Sequence, residues 1–406
     1  MNILQINKFF YIRDGTSRYF LNLSDLLRKK GHRILHFSMK SDRNMKSQYS
    51  KYFIDNISFN KNKLSNISSI ISGCFYSTDA KNKIKMLLDE NKVDLVHLHS
   101  IYHYLSPSIL LEIKKRKIPV VMTAHDFHLV APNYLLYHSG KVCEITKPDR
   151  YYKAIAHKCV RDSYSLSLME TAEKYFNKFI IKERNLIDSI LVPSLFVKNK
   201  FIEYGYSADK LTVLPFFTDL PKNKPKNQGM FILYFGGLFK HKGVDFLIRV
   251  MKDLPQIPCL IAGEGPEEYY LKNMINKNKV KNVKLLGYQN QSELDGLISS
   301  SQFTVMPSLW YEGFGMVNIE ANAYGKPVVA SKIGGIQEVI KDRVNGLLCE
   351  PGNRKDFSEK ILTLWKNNNL RINLGRQGRK IVEAKFNRES HFRSLTAVYK
   401  RVINQL

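Results

Sequence analysis

The chain has 406 residues, 44% of them apolar, and a formal net charge of +27 from 63 Lys and Arg against 36 Asp and Glu. That length exceeds what a single hydrophobic core usually serves, so two domains are expected, and the apolar fraction excludes disordered and collagen-like chains. No apolar run approaches the roughly 20 residues that span a bilayer, and the basic excess favours anionic partners such as phosphorylated ligands or anionic lipid.

The opening Met1-Asn2-Ile3-Leu4-Gln5-Ile6 reads as a buried strand. It lacks the charged start and long apolar stretch of a signal peptide, so a cytoplasmic location is expected. Phe20, Leu23 and Leu27 recur at helical spacing in a helix ending at Gly31, and residues 33–39 follow as a second strand. Residues 93–98, 120–124 and 189–193 are short, apolar and rich in β-branched side chains, as buried parallel strands are. Residues 220–228 (Leu-Pro-Lys-Asn-Lys-Pro-Lys-Asn-Gln) have almost nothing to bury and read as a linker with a hinge near residue 224.

The alternation then restarts, with strands expected at 231–235, 259–262, 283–286, 303–306 and 327–330. From about Asn387 a helical pattern is expected to pack back on the first domain. The sequence thus predicts an α/β protein, with one domain over 1–220 and a second over 229–386. Cys74, Cys143, Cys159, Cys259 and Cys349 are widely spaced with no CxxC pair, and reduced thiols are expected. Cys143 and Cys159 bracket a polar loop where a local clip or a metal site is the alternative.

In open α/β sheets ligands sit beyond the carboxyl ends of the strands, so the strand-to-helix turns are the places to look. The turn after 231–235 is Gly236-Gly237-Leu238-Phe239-Lys240-His241-Lys242-Gly243, where glycines allow close approach and lysines add charge beside helix amides. It lacks both the P-loop pattern and the GxGxxG of a dinucleotide site. Gly263-Glu264-Gly265-Pro266 follows the next strand, with proline at a helix start. Glu312-Gly313-Phe314-Gly315-Met316-Val317-Asn318-Ile319-Glu320 places two glutamates eight apart around a Gly-x-Gly turn. The amides of Gly313 to Gly315 suit an anion, and ionised carboxylates accept hydrogen bonds from hydroxyl groups. Gly334-Gly335 adds to the same rim.

The Glu312…Glu320 pair followed by Ala321-Asn322-Ala323-Tyr324-Gly325-Lys326-Pro327-Val328-Val329-Ala330 resembles the retaining GT-B glycosyltransferases of family 4. Gly334-Gly335 to Glu338, Asn345-Gly346-Leu347-Leu348, Lys242-Gly243 and Gly263–Pro266 continue the match in order. In the first half Asp14-Gly15-Thr16-Ser17-Arg18-Tyr19 lies where the family has a Gly-Gly turn beside the diphosphate. His97-Leu98-His99 and Thr123-Ala124-His125-Asp126 follow strands there. The resemblance implies the GT-B fold, two Rossmann-like domains facing across a cleft.

It further implies a hexosyltransferase using a nucleotide diphosphate-sugar and acting on a glycan or lipid-linked acceptor in surface polysaccharide assembly. The residues it marks as catalytic are His125, Lys242 and Glu312. Those marked for the donor are Gly15, Gly237, Lys242, Gly263, Glu264, Gly313, Phe314, Gly315 and Glu320, with Glu320 on the ribose and His125 near the sugar. The family's arginine in the phosphate turn is Gly237 here, so Lys240 or His241 has to compensate, and lysine does not reproduce a bidentate guanidinium. No Asp-x-Asp pair occurs, and no cofactor or metal is expected.

Nucleic acid is not an expected partner. An anionic membrane surface is, on the inner face of the plasma membrane, through Lys8, Arg13, Arg18, Arg28, Lys29, Lys30 and Arg33. A nucleotide-sugar epimerase of the same fold, a phosphorylase with lysine-bound pyridoxal phosphate and a non-catalytic nucleotide-sugar-binding protein remain the other readings.

Overall fold

A computed structural model describes residues 1–55, 75–221 and 229–405. Most of the linker around residue 224, and Cys74, lie outside the described residues. The first half forms strands β1 (Asn2–Ile6), β2 (Arg33–Phe37), β3 (Leu95–Leu98), β4 (Val120–Thr123), a small hairpin of β5 (Tyr137–His138) and β6 (Lys141–Val142), then β7 (Ser189–Val192) and β8 (Leu211–Val213). The second half forms β9 (Ile232–Phe235), β10 (Cys259–Ala262), β11 (Val283–Gly287), β12 (Thr304–Met306), β13 (Val328–Ser331) and β14 (Gly346–Cys349).

These make two six-stranded sheets, ordered β2-β1-β3-β4-β7-β8 and β11-β10-β9-β12-β13-β14. Every pairing within them is parallel. Every residue of β3, β4, β7, β9 and β13 is buried. Apolar runs of that kind belong to parallel strands covered by helices on both faces, which is why they stand out in the sequence. The short β8, β14 and the hairpin are additions to the sequence-based reading. In each sheet the order reverses beside the first strand, and the crevice at that reversal is where α/β sheets bind ligands.

The last helix, Arg388–Asn404, starts where the Asn387 side chain accepts from Ser390 N. It lies against the first sheet: Tyr399 Oη is 2.6 Å from His97 Nδ1, and Arg401 donates to Thr212 Oγ1 at 2.9 Å. Arg388 holds both Asp25 and Asp219, and Lys30 pairs with Glu389 at 2.6 Å.

Of the basic residues expected to face a membrane, Arg13, Arg28, Lys29, Lys30 and Arg33 are exposed, some of them in surface ion pairs. Lys29 pairs with Asp25 and Arg18 with Glu320, while Arg13 lies over the Phe9 ring. Burial lowers the pKa of Lys8, against the pull of Asp126 and Asp14. Among the described residues Cys143, Cys159, Cys259 and Cys349 are free thiols. Cys143 and Cys159 are neighbours: the Cys159 thiol draws Cys143 down to about 6, and its own pKa is pushed up.

Candidate active site

The turns after β9, β10 and β12 and the one before the helix Ile336–Val339 press on one another at the carboxyl edge of the second sheet. Gly263 has φ +146°, and a Cβ there would stand 1.9 Å from the Gly236 carbonyl oxygen. A Cβ on Gly335 would stand 2.2 Å from the Gly313 carbonyl oxygen, and its amide donates to the Glu312 carbonyl at 2.8 Å. These two glycines are therefore needed for turn-on-turn packing, whatever ligand the turns also meet.

Lys242 ends the short helical turn Lys240–Lys242 after β9. Its Nζ donates to Glu312 Oε1 at 2.6 Å and lies 5.0 Å from the Trp310 ring centre. The same oxygen accepts from Ser308 Oγ at 2.9 Å and from Trp310 Nε1 at 2.8 Å. Glu312 is buried, and burial alone would raise its pKa. The Lys242 charge and the three hydrogen bonds outweigh that and hold the carboxyl below its ordinary value. A buried carboxylate of this kind fixes the ammonium in place, while the Lys242 side chain keeps 24% of its surface open to solvent.

Glu320 lies in the helix Met316–Ala323, behind a Gly315 whose φ of +81° starts that helix. Its Oε1 is 3.4 Å from Nη1 of Arg18, in the first turn of the first domain's helix Gly15–Lys29. Burial raises the Glu320 pKa, and Arg18 pulls it back. The Asp14 carboxylate is the cap of that helix. It accepts from Ser17 N at 2.9 Å, and Ser17 Oγ accepts in turn from Asp14 N. Gly15, just beyond, has no atom within 4 Å of where a Cβ would be.

His125 follows β4. Its Nε2 is 3.1 Å from His99 Nδ1, and His99 Nε2 is 2.7 Å from Gln5 Oε1. With the amide oxygen as acceptor, His99 carries its proton on Nε2, so His125 donates from Nε2 and keeps a lone pair on Nδ1. Burial lowers the His125 pKa to about 4, only partly offset by Asp14, so the ring is neutral at pH 7. Phe216 stacks on it at 5.5 Å and Tyr19 meets it edge-on at 5.4 Å.

Other expected site residues are placed differently. The Phe314 ring is buried between Phe216 and Phe386, 5.5 Å from each, so its side chain packs the core and only its backbone is left for a ligand. Gly313 faces the first domain, its carbonyl accepting from Ser194 Oγ at 2.6 Å. The Glu264 side chain is exposed, and its carbonyl accepts from Leu238 N at 2.9 Å. At Gly237 a Cβ would meet the Phe239 ring at 2.7 Å. Phe239 stacks on His241 at 5.5 Å, and His241 lies 4.5 Å from Trp310. An aromatic stack thus lines the turn that carries arginine in the family. His241 is no cationic substitute, because burial and Lys242 lower its pKa to about 4.

Sequence reasoning named neither Ser308 and Trp310 as holders of Glu312 nor Arg18 as the partner of Glu320. Glu338 entered only as part of the family match; its carboxylate accepts from Leu195 N at 2.8 Å and Phe196 N at 2.7 Å, tying the second domain to a first-domain helix start. The Ser308-x-Trp310-x-Glu312 spacing was a usable signal; the cross-domain partners left none.

Residues 13–221, half of the chain, match the family model for Glycosyltransferase Family 4, and residues 216–381 match that for Glycosyl transferases group 1. The chain belongs to glycosyltransferase family 4. An uncharacterised glycosyltransferase of Methanocaldococcus jannaschii is 28% identical over 333 residues, covering 81% of this chain and 82% of the relative. An uncharacterised 42.6 kDa protein in the cps region of Klebsiella pneumoniae is 26% identical over 84% of this chain and 88% of its own. Anabaena HepE in complex with UDP-glucose shares the fold, with a TM-score of 0.70 and 18% identity over 99% of this chain and all of that one. This glycosyltransferase has the GT-B architecture, and transfer is favoured over the epimerase, phosphorylase and binding-only readings. The group 1 match contains every turn from Gly236 to Gly335, and the family 4 match contains Gly15, Arg18, His99 and His125.

Proposed function

We propose that the enzyme is a retaining, metal-independent hexosyltransferase that uses a nucleoside diphosphate-sugar and serves surface polysaccharide assembly. The observation that carries this is the Lys242 ammonium fixed by the buried Glu312 at 2.6 Å. Breaking the anomeric C–O bond places new negative charge on the departing diphosphate, and a cation already in position there needs no reorganisation. Retention follows from attack on the face the diphosphate leaves, with the leaving phosphate oxygen accepting the proton of the acceptor hydroxyl. His125, neutral and with Nδ1 open as an acceptor, orients the sugar. The UDP-glucose complex of HepE supports a nucleotide-sugar in such a cleft, and the cps-region relative supports the polysaccharide role.

The test is release of nucleoside diphosphate from UDP-, GDP- and ADP-glucose, with the product's anomeric configuration read by NMR. One of the donors is expected to turn over with retention, at a rate unchanged by adding Mg²⁺ or Mn²⁺ to ion-free enzyme. Dependence on either ion, or an inverted product, overturns the mechanism.

A lipid-linked acceptor is supported by a second surface in addition to the basic one. The helix Tyr164–Phe176 and the turn after it expose Tyr164, Leu168, Phe179 and Ile180, with Tyr152 alongside. Lys158 lies over Tyr164 and Lys178 over Phe179, an arrangement that lets apolar groups enter a lipid interface while ammonium groups stay at the headgroups. Binding to anionic phosphatidylglycerol vesicles is expected, weakening as salt rises. The Phe179→Ser, Ile180→Ser pair should weaken it about tenfold or more, since each buried side chain of this size contributes on the order of 1.5–3 kcal/mol. Vesicle binding untouched by that pair places the contact elsewhere.

A further inference from the structure

Behind His125 lies a cluster that no part of the transfer reaction uses. His103 follows β3, His128 follows β4, and Glu170 and Glu173 sit one turn apart on the helix Tyr164–Phe176. One ligand atom from each of the four lies within 4.8 Å of all the others. We propose that these four side chains form a zinc-class divalent metal site that pins the His125–His128 turn to that helix.

The spacing fits. With metal–ligand bonds of about 2.1 Å, adjacent ligand atoms of a tetrahedral site stand about 3.4 Å apart. Nε2 of His103 is 3.1 Å from Glu170 Oε2 and 3.4 Å from Glu173 Oε2, and Nε2 of His128 is 3.7 Å from Glu173 Oε1. Two imidazoles and two carboxylates suit zinc, whereas magnesium and calcium favour six or more oxygens.

Two atoms aimed into the cluster lack hydrogen bonds. His128 Nε2 and Glu173 Oε2 are buried without a hydrogen-bond partner, their side chains 5% and 0% exposed. Buried polar atoms are ordinarily satisfied, so an orphaned imidazole nitrogen held 3.7 Å from the nearer Glu173 oxygen, beyond hydrogen-bond reach, calls for something between them. The His128 ring is also held in orientation, 3.8 Å from Tyr102, and its backbone amide donates to Asp126 Oδ1 at 2.9 Å.

The charge balance points the same way. Asp126 and Glu183 add two acids to Glu170 and Glu173, while the facing fixed cations are Lys174, Lys8 and, beside Glu183, Arg184. Four carboxylates facing three fixed cations leave an excess of acid in a buried region, which a bound cation would offset. Four protein ligands close the coordination shell, so the ion's role is structural. The site contains no residue assigned to the donor, and its zinc is distinct from the Mg²⁺ or Mn²⁺ tested above.

The experiment uses the full chain, stripped with a chelator and returned to zinc, with cobalt as a spectroscopic substitute. Expected are uptake of one equivalent of zinc, a higher melting temperature with zinc but not magnesium, and the visible bands of tetrahedral cobalt. His103→Gln is the decisive variant, because its side chain is 25% exposed and folding should tolerate the change. Loss of even an outer-shell partner typically costs about ten- to a hundredfold in metal affinity, so His103→Gln should cost at least that. His157→Gln, at an exposed histidine outside the cluster, should bind as wild type does. Absence of stoichiometric uptake and of cobalt bands in the wild type would show the cluster to be an ion-pair network. Equal binding by His103→Gln would likewise overturn the assignment, as would a preference for magnesium.

Discussion

Lys242→Ala is expected to lower kcat about a hundredfold or more while leaving donor affinity nearly unchanged. Charge on the diphosphate grows as the sugar bond breaks, so a cation there favours the transition state over the ground state. Loss of a preorganised contact of this kind typically costs about 3 kcal/mol of barrier. The structure adds a second consequence. In the variant Glu312 keeps Ser308 and Trp310 but loses its counter-charge while still buried, and a lone buried carboxylate favours protonation. Part of any lost stability would therefore come from Glu312. The double variant Lys242→Met, Glu312→Gln removes both charges and should recover stability without recovering turnover. Single-turnover rates and donor affinities for the three proteins separate the effects. A raised KM with unchanged kcat in Lys242→Ala would mean that the lysine only holds the donor.

Much of this fold was legible because its strands are buried on both faces. A strand such as β4, Val-Val-Met-Thr, announces itself by apolar, β-branched residues between polar helical stretches. β8 has only three residues and β14 begins at a glycine, so neither carries enough local signal. The turns were legible for a related reason: glycine is forced where Gly263 meets Gly236, and such glycines recur at strand ends. What the sequence could not reveal is pairing across distance. Arg18 and Glu320 are separated by 302 residues, and His125 owes its tautomer to Gln5 and His99 from two other strand ends. Nor could the sequence reveal that the ring in the Gly-Phe-Gly turn fills the core between Phe216 and Phe386.

The two glutamates of the Glu312…Glu320 pair should divide the work, and the structure gives the reason. Glu320 keeps its side chain 15% exposed and is held by a single long contact to Arg18. Such a contact is readily exchanged for ribose hydroxyls, which the family resemblance places there. Glu320→Ala is then expected to weaken both donor and free nucleoside diphosphate about ten- to hundredfold, since a hydrogen bond to a charged group contributes roughly 1.5–3 kcal/mol. Glu312 has no such freedom. Its Oε1 already accepts three hydrogen bonds, one of them from Lys242, so it is expected to act through Lys242 as a positioning residue. Glu312→Ala should spare the free nucleotide and lower kcat, because a loosened ammonium no longer waits where charge develops. Glu312→Gln, which keeps an acceptor oxygen for Ser308 and Trp310, should recover part of that loss. Calorimetry with the free nucleoside diphosphate, beside kcat for all three variants, reads the division directly. Equal loss of nucleotide affinity in Glu312→Ala and Glu320→Ala would place both carboxylates on the nucleotide. Unchanged binding and turnover in both would leave them as helix-start residues and remove the support that the Lys242–Glu312 pair gives to the proposed mechanism.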